Sequence, residues 1–239
     1  MSEYFSRRIY AEINLDAERS NLLALKDYID ESCTKPACVV KADAYGHGDV
    51  GLMKLYQEMG VDFFCVSNIS EALRLREGGC TGDILILSWT APEDTHILTE
   101  NNFIGTAVSV SNAAEISANA KEPVRLHIKL DTGMTRLGIY AHKSHIEAAA
   151  DEAEKITKLT FLSSDGIFTH FSEAESEDTA FTEEQLDCFL RVVDILEKRG
   201  KTFEFCHCAN SAGVVNYKKA HLSCIRPGLI LYGLSPTEM

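Results

Sequence analysis

After an opening strand-like run over residues 8–14, short apolar runs rich in β-branched residues alternate with amphipathic stretches along the whole chain. The runs cover residues 37–41, 63–67, 84–88, 103–108, 124–130, 166–170, 203–209 and 222–226. Helix-like stretches at 16–32, 69–77, 112–120, 142–158 and 178–199 lie between them. Apolar runs that each precede a helix are the pattern of a parallel sheet covered by helices. Eight such units in about 200 residues predict a single α/β domain, a (β/α)8 TIM-type barrel with an extra N-terminal strand. The 178–199 helix is marked most clearly, with a Thr182-x-x-Gln185 capping pattern at its start and Gly200 at its end.

In a barrel of this kind the chemistry gathers where strands end and loops begin. Those positions hold Lys41-Ala-Asp-Ala-Tyr45, Asp131-Thr-Gly-Met-Thr-Arg136, His170, Asn210-Ser211 and Arg226-Pro-Gly228. Lys41 closes an apolar strand. It either snorkels out of the barrel mouth or has a depressed pKa and acts as a Schiff-base lysine. The tyrosine and two glycines that follow suit a loop closing over an anionic ligand. Gly46-His-Gly48-Asp-Val-Gly51 also satisfies a dinucleotide fingerprint. Five residues separate its first glycine from the strand, however, and Ser67-Asn68 stands where an acidic ribose contact belongs, so NAD binding is not expected.

The chain has 239 residues and a formal net charge of −13. That acidity argues against nucleic acid as a partner. No apolar run nears the ~20 residues of a bilayer span, and the first residues lack a signal-peptide core, so a cytoplasmic protein is expected. The eight cysteines are scattered. Cys206-His207-Cys208 resembles a metal motif, but in a strand His207 faces away from its neighbours, so no metal is expected and the thiols read as buried.

Six segments together resemble the successive signatures of alanine racemase. They are Ala11-Glu-Ile-Asn-Leu-Asp16, Val40-Lys-Ala-Asp-Ala-Tyr-Gly-His-Gly48, Lys129-Leu-Asp-Thr-Gly-Met-Thr-Arg-Leu-Gly138, Gly166-Ile-Phe-Thr-His-Phe-Ser172, Ala209-Asn-Ser-Ala-Gly213 and Arg226-Pro-Gly-Leu-Ile-Leu-Tyr-Gly233. The resemblance implies a pyridoxal 5′-phosphate (PLP) enzyme that interconverts L- and D-alanine, in the supply of D-alanine for cell wall. By this resemblance Lys41 holds PLP as a Schiff base and moves the α-proton on one face of the substrate. Arg226 pairs with the pyridine nitrogen, and His170 packs beside the ring and orients Arg226. Tyr45, Ser211 and the backbone of Gly228 and Leu229 hold the phosphate, with Asn210 beside them. Arg136 contacts the cofactor's phenolic oxygen and the substrate carboxylate. Lys129 matches a position that is carbamylated in some members and otherwise is an unmodified lysine pairing with a carboxylate.

Asp43 stands where many members have Asn. The family also continues past its barrel into a β-rich domain that supplies a second acid–base group, a tyrosine, across a homodimer. The resemblance therefore implies that residues 1–239 form one PLP-binding barrel lacking that domain and its base, and racemising poorly alone. A serine racemase of the vancomycin-resistance type and a non-enzymatic PLP-binding barrel stay open as alternatives.

Overall fold

A computed structural model describes residues 11–236. The strands are β1 (Lys35–Pro36), β2 (Cys38–Val39), β3 (Phe63–Val66), β4 (Asp83–Trp89), β5 (Ile104–Ala107), β6 (Val124–Asp131), β7 (Ile139–Tyr140), β8 (Leu162–Phe168), β9 (Phe205–His207) and β10 (Cys224–Ile225). One parallel sheet runs β2-β3-β4-β5-β6-β8-β9, with β7 added beside β6, and a second parallel ladder joins β1 to β10.

Because β1 and β2 are one extended segment broken only at Ala37, the two ladders curl into a barrel. Ala37 and Val39 donate to the carbonyls of Ile225 and Pro227, each at 2.8 Å, and Arg226 N donates to Ala209 O at 2.9 Å. Each of the eight apolar runs overlaps a strand of this barrel, although β8 begins four residues before its run; β7 is an additional short one.

Side-chain parity divides the core into two layers. Cys38, Val40, Phe64, Val66, Ile84, Ile86, Leu126, Ile128 and Ile167 face outward and join the helices in one large cluster. The opposite parity places Ala37, Val39, Phe63, Cys65, Leu85, Ile104, Phe205 and Cys224 together in the lumen. Strand β6 breaks the expectation of runs that are apolar throughout. Its outward residues are apolar, but Arg125, His127, Lys129 and Asp131 form a polar stripe on the opposite face.

Local signals account for the helices. Asn68 caps Ile69–Glu77, its side chain accepting from Glu71 N at 3.0 Å, while Ala72 and Leu75 turn inward. Ser109 caps Val110–Asn119 in the same way. In the long helix Ala180–Lys198, Leu186, Phe189, Val193 and Leu196 form the buried stripe, and Gly200 closes it with φ +78°.

Two expectations need correcting. Arg8–Tyr10 of the opening strand lie outside the described residues, and the remainder, Ala11–Asn14, is not strand: Asn14 caps the helix Leu15–Tyr28. Thr182 is no cap either, because the helix has already begun at Ala180. Gln185 instead turns back, its Oε1 accepting from Ser172 N at 3.0 Å.

Cys206 and Cys208 join the outer layer while His207 faces the lumen, and six of the eight cysteines are buried, Cys33 and Cys206 being the others. Among the described residues no helix is long and apolar enough to cross a membrane.

Candidate active site

A cavity of about 610 Å³ opens at the C-terminal ends of the strands. The residues given cofactor or catalytic roles by the resemblance line it: Lys41, Tyr45, Arg136, His170, Asn210, Ser211, Arg226, Gly228 and Leu229. Elements far apart in sequence deliver them. Lys41 and Tyr45 follow β2, Arg136 follows β6, His170 follows β8, and Asn210 and Ser211 follow β9. Arg226, Gly228 and Leu229 follow β10.

The backbone turns sharply after Lys41. Ala42, Asp43, Ala44 and Tyr45 all adopt left-handed conformations with φ between 51° and 56°. Such a turn disfavours residues bearing a Cβ. Hydrogen bonds hold it: Ala42 N donates to Glu71 Oε1 at 3.0 Å, and Asp43 Oδ1 accepts from Asp49 N at 3.1 Å. The turn places the Tyr45 ring 5.8 Å from Lys41 Nζ and 5.3 Å from the Tyr232 ring. Half-burial lowers the Lys41 pKa, and the neighbouring Arg136 lowers it further.

Arg226 is 3 % exposed and firmly held. One terminal nitrogen, Nη1, lies 2.6 Å from His207 Nδ1. The other, Nη2, donates to Thr169 O at 2.7 Å and Cys208 O at 3.2 Å, and sits 3.4 Å from His170 Nδ1. Removal from water, followed by the charge of Arg226, pushes the His170 pKa well below its ordinary value, so this imidazole is neutral.

Across the cavity, Ser211 Oγ accepts from Gly228 N at 3.0 Å and Ile230 N at 3.4 Å. Leu229 begins a short 3-10 turn, Leu229–Tyr232. A Cβ at Gly228 would lie 3.4 Å from Tyr45 Oη, so a side chain there would fill the cradle between the tyrosine, the serine and these amides. Asn210 caps the helix Ser211–Asn216 through its own Oδ1, which accepts from Gly213 N.

Family comparison interprets this arrangement. The model of the alanine racemase N-terminal domain matches residues 13–236. The chain belongs to the alanine racemase family. It is 36 % identical over 237 residues to the alanine racemase of Methanococcus maripaludis, covering 98 % of this chain and 62 % of that protein. The Desulforamulus reducens enzyme is also 36 % identical, with 96 % of this chain and 62 % of that protein covered. Among solved structures, the Clostridium difficile alanine racemase in complex with cycloserine superposes with a TM-score of 0.92 at 33 % identity, covering 98 % of this chain and 64 % of that one. Bacillus anthracis alanine racemase with bound L-Ala-P gives 0.86 at 30 % identity, over 96 % of this chain and 60 % of that one. The chain thus spans less than two thirds of the length of these alanine racemases.

Alanine racemases are PLP-dependent, and this donor set fits that cofactor. Lys41, Lys129, Arg136 and Arg226 line the cavity, and among the described residues Glu175 is the one carboxylate beside them. Asp131, just beneath, accepts from the amides of Gly133, Thr135 and Arg136. Such a surplus of positive charge, with a hydroxyl-and-amide cradle at one side, suits a phosphorylated, anionic group.

Beneath the floor lie His127, His207 and Asp165. The sequence reading has His207 only as facing away from Cys206 and Cys208. Reading Arg125-Leu-His-Ile-Lys-Leu-Asp131 as apolar throughout hides His127, although its polar residues alternate; Asp165 precedes the 166–170 run and carries no signal of its own.

Proposed function

We propose that this chain is the PLP-binding barrel of an alanine racemase, interconverting L- and D-alanine in the supply of D-alanine for cell wall. The observation that carries the reading is Lys41: a half-buried amine of lowered pKa, at a strand end, in a cation-rich cavity shared with the Ser211–Gly228 cradle. When bound, PLP supplies an electron sink for the charge left on Cα once its proton is removed. Lys41 Nζ would hold the cofactor and would move the α-proton on one face of the substrate.

Ser211, Tyr45 and the amides of Gly228 and Leu229 hold the phosphate, with Asn210 fixing the helix start beside them. Arg136, whose guanidinium lies at the cavity, receives the substrate carboxylate. Arg226 would pair with the ring nitrogen. An arginine is a donor that keeps its proton, so it would leave that nitrogen unprotonated and favour return of the proton to Cα. His170, neutral and beside Arg226 Nη2, orients it.

Racemisation by two bases needs one group on each face of Cα. Lys41 is assigned one face; the other is assigned to a group outside this chain, in the additional length its relatives carry. A homodimer belongs to the same reading, supported by the half-exposed aromatic and apolar side chains Trp89, Tyr140 and Leu234 at strand ends and loops near the mouth.

The test is spectroscopic. Added PLP is expected to give a visible absorbance band that borohydride abolishes, leaving the reduced cofactor attached to Lys41, and that is absent in Lys41→Ala. Loss of α-hydrogen from one enantiomer of alanine only is the expected activity of these residues alone. An unchanged band in Lys41→Ala, or equal turnover of both enantiomers, would overturn the assignment.

A further inference from the structure

Arg226 is buried, and among the described residues no carboxylate pairs with it directly. Its charge continues instead through a row of side chains inside the lumen. Nη1 lies 2.6 Å from His207 Nδ1, and His207 Nε2 lies 2.9 Å from His127 Nδ1. His127 Nε2 faces Asp165 Oδ1 at 3.4 Å. Those last two atoms are both buried, and neither makes a well-aligned hydrogen bond to any described group, so each is the other's polar neighbour across this gap. Asp165 is anchored in turn by Arg125 Nε at 3.0 Å, and Arg125 grips Asp83 with both terminal nitrogens. Asp83 and Arg125 stand at the N-terminal ends of β4 and β6, so the row runs down the barrel away from the cavity.

The chemistry of the donors fixes the direction of every link. A guanidinium only donates, so His207 Nδ1 must accept. Burial first, then Arg226, holds His207 far below its ordinary pKa, and burial lowers His127 as well, so both rings are neutral. A neutral ring that accepts at Nδ1 carries its proton on Nε2. His207 Nε2–H therefore donates to His127 Nδ1, and His127 Nε2–H points at Asp165. Asp165 is kept ionised: burial opposes this, but His127 and Arg125 outweigh it and hold its pKa below the usual value.

Two features of the fold are shaped around this row. The register between β6 and β8 shifts between Arg125 and His127, with an extra residue on the β8 side at Ser164–Asp165. A bulge of this kind re-aims a side chain. Next to it, a Cβ on Gly166 would lie 2.4 Å from the His127 ring, so only glycine leaves room for that imidazole. Phe168 stacks on His207 at 4.7 Å and Phe205 on His127 at 5.5 Å, fixing both ring planes.

We infer that Asp165 is a positioning residue for Arg226, acting through His127 and His207. Its carboxylate sets one hydrogen-bond polarity along the row, so that Nη1 of Arg226 is tied down the lumen while the rest of the fork meets Thr169, Cys208 and His170. The inference takes from the proposed function only the role of Arg226 toward the cofactor ring.

The experiment is long-range nitrogen–proton NMR of the histidine rings, recorded without PLP and assigned by single substitutions. Both His207 and His127 are expected to carry their proton on Nε2 and to stay neutral at about pH 7 and above. In Asp165→Asn, loss of the charge should shift the His127 ring N–H upfield and the His207 N–H by less. Ser164→Ala, in the same bulge, should move neither. A proton on His207 Nδ1, protonation of either ring in that range, or unmoved resonances in Asp165→Asn would each overturn the inference. If Asp165→Asn does not fold, the tautomers of the unsubstituted protein still decide. Failure of the PLP reading would show separately, as an absent Lys41 adduct with these tautomers intact.

Discussion

At the scale of single residues, the site is defined by cations that the fold keeps from water. Lys129 is 3 % exposed; among the described residues its Nζ donates to Leu130 O at 2.5 Å and lies 5.3 Å from the centre of the Phe168 ring. Burial first and Arg226 second lower its pKa to about 7; Asp131 opposes this and Arg136 adds to it. The folded state therefore binds fewer protons here than the unfolded chain wherever the pH lies between about 7 and the ordinary lysine value. Stability contributed by this group rises with pH through that window and is lost as pH falls toward 7. Replacing the lysine by an uncharged residue of similar length, Lys129→Met, is expected to raise stability at neutral pH and to flatten the rise; denaturant midpoints measured across the window check it. A neutral buried amine is also a nucleophile for carbon dioxide. With labelled bicarbonate, a carbamate carbon signal is expected that disappears in Lys129→Met. Its absence from the unsubstituted protein would leave Lys129 as a free amine.

At the scale of elements, the strands were legible because each buries a face against helices. Ile69–Glu77 was legible to the residue because Asn68 caps it. The failures have physical causes. Thr182 and Gln185 have capping spacing, yet the helix starts two residues before Thr182, and the tertiary bond to Ser172 takes Gln185. The left-handed turn over Ala42–Tyr45 carries little local signal, since of Ala-Asp-Ala-Tyr only the aspartate tolerates positive φ readily. Contacts with Glu71 and Asp49 hold it there, together with backbone bonds from Ala44 N to Val40 O and from Gly48 N to Asp43 O.

That turn makes a prediction of unusual sign. A left-handed residue bearing a Cβ costs roughly 1–2 kcal/mol relative to the right-handed form. Ala42→Gly relieves this at an exposed position and keeps the amide bond to Glu71, so the protein is expected to gain up to about 1 kcal/mol once the flexibility of unfolded glycine is deducted. The same exchange at exposed Ala148, within the right-handed helix Ile146–Thr157, is expected to cost about 1 kcal/mol. Paired thermal melts decide it, and a loss at both positions would show that Ala42 is not held in this conformation.

At the scale of the whole molecule, the barrel has a weak seam. From β3 to β8 the sheet is continuous, but closure depends on the two-residue ladder between β1 and β10 and on isolated bonds between β9 and β10. One of these is Cys206 N donating to Ser223 Oγ at 2.7 Å, where a side chain replaces the missing backbone rung. Lys41 and Tyr45 follow the strand on one side of the seam; Arg226, Gly228 and Leu229 follow the strand on the other, with Ser211 beyond. A ligand held by all of them bridges the place where the ring closes. Without ligand, amide exchange is expected to be faster at residues 35–39 and 205–209 than in β4–β6. Ser223→Ala, which leaves the Cys206 amide unpaired, should cost about 1 kcal/mol and speed that exchange further. PLP binds the folded state and so stabilises the whole barrel, but the added protection should concentrate at the seam. Peptide-resolved hydrogen exchange with and without PLP tests this. Protection spread evenly over all the strands would mean that the cofactor is not gripped from both sides, and that the cradle at Gly228 and the lysine at Lys41 do not serve one ligand.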